Sequence, residues 1–79
     1  MKHIKYEDSS SITVKVANDR VILIKINSVG GQPSKVSATW TGAGISGIAY
    51  GGFQNKKDFD FQTAASMAVE NAISQARVA

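Results

Sequence analysis

Between residues 11 and 27 apolar side chains recur at every second position, in two runs on either side of a polar turn. Ile12, Val14 and Val16 alternate with Thr13 and Lys15, and Ile22, Ile24 and Ile26 alternate with Leu23 and Lys25. A period of two belongs to a strand with one buried face and cannot serve a helix. The chain must therefore build a sheet and cover one side of it. Ala17-Asn18-Asp19-Arg20 joins the runs, and Asn and Asp tolerate the left-handed backbone that a tight turn requires. A three-residue loop of Asn18, Asp19 and Arg20 would set Val16 opposite Ile22, Val14 opposite Ile24 and Ile12 opposite Ile26, all on one face. A two-residue loop would bring Lys15 beside Ile22, so burial favours the longer loop.

The rest of the chain extends this pattern. Val29-Gly30-Gly31-Gln32-Pro33 reads as a connection, because proline cannot sit in the middle of a sheet. A third strand is expected over 34–41, where Val36, Ala38 and Trp40 alternate with Lys35, Ser37 and Thr39. Gly42-Ala43-Gly44 turns the chain into a fourth strand over 45–53, which carries Ile48 and Tyr50. Its glycines Gly47, Gly51 and Gly52 predict a bulged, bent or loosely paired strand. At the N-terminal end, Ile4 and Tyr6 alternate with Lys5 and Glu7, which suits a short edge strand over 3–7.

The period then changes. Phe61, Ala64, Ala65, Ala68, Val69, Ala72, Ile73 and Ala76 recur at helical spacing, predicting a helix over 61–77. Asp60 is the expected N-cap, with Phe59 before it as a hydrophobic staple and Arg77 suited to the C-terminal end. The alanines let the helix approach closely, while the isoleucines and Trp40 supply the opposing bulk. The expected fold is α+β, one domain over 1–79. It is an antiparallel β-meander of four strands, five if 3–7 joins, packed on one C-terminal helix.

The 79 residues hold no cysteine, so neither a disulfide nor a thiolate metal site is available. No stretch approaches the roughly 20 apolar residues of a membrane span, and the N-terminus lacks the apolar core of a signal peptide. A cytoplasmic protein is expected. Its net charge is +3, a mild excess that suits an acidic partner.

Few residues offer chemistry. His3 is the single histidine and has no metal-binding companion. Asp58 and Asp60 are spaced like paired carboxylates but stand where a helix start would use them. Gly42-Ala43-Gly44-Ile45-Ser46-Gly47 matches a GxGxxG pattern, yet a strand follows where the dinucleotide fingerprint needs a helix. No nucleophile–base pair or metal cluster can be assembled, so neither enzymatic activity nor a cofactor is expected. Lys15, Lys25 and Lys35 fall on the face opposite the core, with Thr13, Leu23, Ser37 and Thr39. Nothing in the sequence covers that face, and no aromatic residue is expected on it. Lys56 and Lys57 could extend the basic strip toward the helix.

Two resemblances bear on function. Strands within 21–53, then Asn55-Lys56-Lys57, then Ala64-Ala65 to Ala76 resemble the last half of the double-stranded RNA-binding domain. That resemblance implies phosphate contacts at Lys56 and Lys57. The chain departs from the family in placing a strand at 11–17, where the family has its first RNA-contacting helix. Met1-Lys2-His3-Ile4-Lys5-Tyr6, Asp58-Phe59-Asp60 before a helix, and Glu70-Asn71-Ala72-Ile73 resemble the small anti-CRISPR proteins of phages, type I-F inhibitors in particular. This second resemblance covers about a fifth of the chain. It implies a non-enzymatic protein that binds a host RNA-guided complex and blocks target DNA. The expected function is accordingly surface occlusion through Lys15, Lys25 and Lys35, with Lys56 and Lys57 at the margin. A nucleic-acid-binding module is the alternative, and self-association through the sheet is open.

Overall fold

The computed structural model describes residues 6–29 and 32–78. Four strands, β1 (Ser10–Ala17), β2 (Arg20–Val29), β3 (Gln32–Gly42) and β4 (Ile45–Gly52), are followed by a 3₁₀ turn at Lys56–Asp58 and the helix α1 (Phe61–Val78). The strands form one antiparallel sheet in the order β1-β2-β3-β4, with α1 packed on one side. This is the expected α+β meander. Of the expected edge strand, residues 3–5 lie outside the described residues, and Tyr6 and Glu7 are not in a strand. Instead the Gln62 side-chain amide pairs with the Tyr6 backbone, accepting its N–H at 2.8 Å and donating to its carbonyl. The segment before β1 is thereby tied to the first turn of α1.

The β1–β2 register differs from expectation. The turn is two residues long, Asn18-Asp19, with Ala17 opposite Arg20. Lys15 then pairs with Val21, Val14 with Ile22 and Ile12 with Ile24. Val16 is the extra residue of a β-bulge, and this restores the apolar face that a two-residue loop would otherwise lose. The faces are as expected, but the partners are shifted by two. Asn18 and Asp19 do not use positive φ, since the described non-glycine residues that do are Ser9 and Ala43. A tight loop without positive φ twists against its strands, and the bulge absorbs the mismatch. Pro33 lies inside β3, contrary to expectation. The ladder is irregular there, with Val29 pairing Gln32 but Ser28 pairing Val36, and proline is tolerated at such a break.

The buried side comprises Val16, Ile22, Ile24, Ile26, Val36, Ala38, Trp40 and Ala49 from the sheet. Ala64, Ala65, Ala68, Val69, Ala72 and Ala76 complete it from α1. The helix lies mainly over β3 and β4. There the β4 glycines act differently from expectation: pairing runs unbroken from Gly42↔Ile45 to Lys35↔Gly52, without a bulge. Their purpose is close approach. Gly47 faces Trp40, and a Cβ on it would sit 2.7 Å from the indole. A Cβ on Gly51 would collide with the Ala64 carbonyl and lie 2.6 Å from the Ala68 nitrogen. Because β4 turns Gly47, Ala49 and Gly51 to the helix side, Ile48 and Tyr50 point to the other side.

Two changes test this packing. Gly51→Ala meets helix backbone that cannot rotate away, and should lower the unfolding free energy by about 3 kcal/mol in urea denaturation. The β3–β4 turn has φ of 53° at Ala43 and 81° at Gly44, the signs of a type I′ turn. Asn-Gly is the favoured pair for that turn, and alanine is strained in the left-handed region. Ala43→Asn should raise stability by about 1 kcal/mol by the same measurement.

Candidate functional site: the open face of the sheet

The face of the sheet turned away from α1 is uncovered among the described residues. Alternation sends Ser11, Thr13 and Lys15 of β1 to it, with Val21, Leu23, Lys25 and Asn27 of β2. Lys35, Ser37, Thr39 and Thr41 of β3 follow, with Ser46, Ile48 and Tyr50 of β4. The expectation that Lys15, Lys25 and Lys35 share this face holds: Lys15 and Lys25 are exposed and Lys35 is half-buried. The expectation that the face has no aromatic residue fails, because Tyr50 lies on it. The expectation counted no aromatic there, whereas β4 presents Gly47, Ala49 and Gly51 to the helix side and so turns Tyr50 outward.

The register arranges these residues. Lys15 pairs with Val21, four residues from Lys25, and Lys25 pairs with Thr39, four residues from Lys35. The lysines therefore form a straight diagonal, each roughly 14 Å from the next at ~3.3 Å per residue and ~4.8 Å per strand. Val21, Leu23, Ile48 and Tyr50 all lie on one side of that diagonal. They are 51%, 51%, 45% and 43% exposed, with Thr39 and Thr41 between them. The Lys35 ammonium stands 4.8 Å from the Tyr50 ring centroid, a cation–π contact. Ser37 is buried beside them and donates to the Asn27 carbonyl at 3.2 Å. None of the six acidic residues falls within a strand. Glu7 and Asp8 precede β1, Asp19 is in the first turn, and Asp58, Asp60 and Glu70 belong to the helix and its approach. The face is thus an apolar and hydroxyl patch bordered by positive charge.

Lys57 is exposed on the 3₁₀ turn, off the sheet, with its backbone N–H donating to Asn55 Oδ1 at 3.0 Å. The side chain of Lys56 lies outside the described residues. The structure does not place Lys57 on the lysine diagonal.

Other candidate chemistry resolves into structure. Asp60 Oδ2 accepts from the Thr63 N–H at 3.0 Å and from Thr63 Oγ1 at 2.6 Å, as an N-cap does. The Thr63 hydroxyl, and then its backbone N–H, hold the Asp60 carboxyl below the usual carboxylate value. The Gly42–Gly47 segment is a hairpin turn running into β4. Among the described residues, no group of three or more His, Asp or Glu side chains could hold a metal ion. None of their helices is long and apolar enough to cross a membrane.

Two polar features escaped the sequence reading. Asn71 Nδ2 donates to the Tyr50 carbonyl at 2.8 Å, and Gln75 Nε2 to the Ile48 carbonyl at 3.1 Å. Gln75 Oε1 also accepts from Trp40 Nε1 at 2.8 Å. Spaced one helical turn apart, the two amides cover the outer edge of β4, where exposed carbonyls would otherwise invite another strand. Arg20 reaches from β2 to donate to the Ala76 carbonyl at 2.9 Å, placing a cation at the end of α1 where Arg77 was expected to act. An i, i+4 amide pair on an otherwise exposed helix face is the one signal that could have revealed the first feature.

Comparison with protein-family models, with curated proteins and with solved structures finds no match.

The depressed Asp60 carboxyl contributes stability that is present above the ordinary carboxylate value of 3.8 and is lost as pH falls through its lower folded value. Asp60→Asn keeps a capping oxygen but does not titrate. Its unfolding free energy should fall less than that of the parent protein on acidification from about pH 5 to about pH 2. Gln75→Ala leaves the Trp40 indole and the Ile48 carbonyl without partners and should cost about 2 kcal/mol. The double change Asn71→Ala with Gln75→Ala should also increase aggregation, read by light scattering.

Proposed function

We propose that the protein is a non-enzymatic binding protein that occludes an acidic surface of a partner with the open face of its sheet. The observation that carries this reading is the pattern on that face: four half-exposed apolar side chains bordered by Lys15, Lys25 and Lys35, with no carboxylate within any strand. An apolar centre with a charged margin is how protein–protein interfaces are built. The lysines would steer a negatively charged partner and fix its register, while Val21, Leu23, Ile48 and Tyr50 would supply the contact area. The resemblance to phage anti-CRISPR proteins gives this partner a specific form, a host RNA-guided surveillance complex whose DNA-binding channel the sheet face would block.

A nucleic-acid-binding role is the second reading, and Tyr50 on the open face is the observation in its favour, since a base can stack on an exposed ring. Against it stands the aliphatic share of the patch, because Val21, Leu23 and Ile48 offer nothing to phosphate.

The test adds the purified protein to a purified type I-F surveillance complex and measures target-DNA binding. Inhibition is expected. Lys15→Glu, Lys25→Glu and Lys35→Glu together should abolish it while circular dichroism and thermal unfolding stay unchanged. Unimpaired inhibition by the triple variant would remove the face from the reading, and absence of inhibition by the parent protein would remove the surveillance complex. Binding to duplex RNA or DNA that weakens steeply as salt rises would favour the second reading.

A further inference from the structure

The lysine diagonal ends at a concavity of about 370 Å³, where the open face rounds the β4 end toward α1. Its walls are Lys35, Tyr50, Phe53, Gln54 and Met67, with the Gly51-Gly52 backbone between them. Phe53 meets Phe59 edge-on, with ring centroids 6.2 Å apart and planes at 90°. Met67 is 40% exposed and gives an adaptable thioether surface. Among the described residues Lys35 is the one charged residue in the lining, and its ammonium stands over the Tyr50 ring. Glycine at 52 leaves the space between these walls open.

We infer that this concavity is a binding site for an aromatic side chain carried next to a carboxylate, presented by a peptide segment of the partner. The ring would lie between Phe53, Met67 and Tyr50, and the carboxylate would meet the Lys35 ammonium. The volume falls within the range of ligand pockets and suits a single ring with its adjoining carboxylate. An aromatic anchor in an apolar pocket is the usual centre of binding energy at an interface, and one positive charge at its wall selects an acid over a neutral group. This site deepens the occlusion reading and rests on it only for the nature of the partner.

The probe is N-acetylphenylalanine, with N-acetylphenylalaninamide as its uncharged counterpart, each titrated alone into ¹⁵N-labelled full-length protein with ¹³C-methyl methionine. Saturable shifts are expected at the amides of Gly51, Gly52 and Phe53 and at the Met67 methyl, with the acid binding about threefold more tightly than the amide. Lys35→Met should erase that preference, and Met67→Glu should abolish binding of the acid. Lys15→Glu with Lys25→Glu should leave both titrations unchanged, which separates this site from the wider face. Absence of saturable shifts at these residues, or equal affinity of acid and amide for the parent protein, overturns the assignment. Either outcome leaves the lysine-bordered face to be judged by its own triple substitution.

Discussion

The contact between Gly51 and the Ala64–Ala68 turn of α1 sets the distance between helix and sheet, and most of the molecule follows from it. With a side chain at 51 the helix backbone would have to withdraw, and the alanines would no longer reach the sheet. A close-packed interior tolerates little such displacement. The same demand for small residues fixes the orientation of β4. Beyond Ile45 at its start, its inward positions are Gly47, Ala49 and Gly51, so Ile48 and Tyr50 are left outward. Close approach on one side of the sheet thus produces exposed Ile48 and Tyr50 on the other. The exposed apolar patch is a consequence of the core.

Helix and sheet are also joined by polar contacts placed at the margins. Gln75 serves the buried Trp40 indole and the outer carbonyl of Ile48 with its two amide atoms, Asn71 covers the carbonyl of Tyr50, and Arg20 meets the last turn of α1. A buried indole N–H without a partner is costly, and so is an exposed strand edge, for different reasons. One glutamine meets both needs because α1 runs over the β4 side of the sheet.

Much of the fold was legible because two periods, of two and of about 3.6, are written plainly in residues 11–41 and 61–77. Strand and helix positions follow directly, and so does the capping of α1 by Asp60. The β1–β2 partnering was not legible, because a bulge at Val16 and a three-residue loop satisfy the same alternation of faces; only backbone geometry separates them. β4 was misjudged for a related reason. Its apolar residues pointed to one face and its packing requirement to the other, and glycine carries no hydrophobic signal. The shared face of the lysines could be anticipated, since Lys15, Lys25 and Lys35 keep their parity in either register, but their diagonal depends on the observed register. The apolar patch beside it could not, because it depends on the orientation of β4. The concavity at Phe53 and Met67 unites residues from β3, β4, the loop after β4 and α1, and no spacing along the chain announces it.

The amides on the β4 edge also limit how copies of the chain can join. A strand from a second copy could add to β4 only after these amides leave the Ile48 and Tyr50 carbonyls. The side chains that hold the helix to β4 therefore also guard that edge against the addition of a further strand.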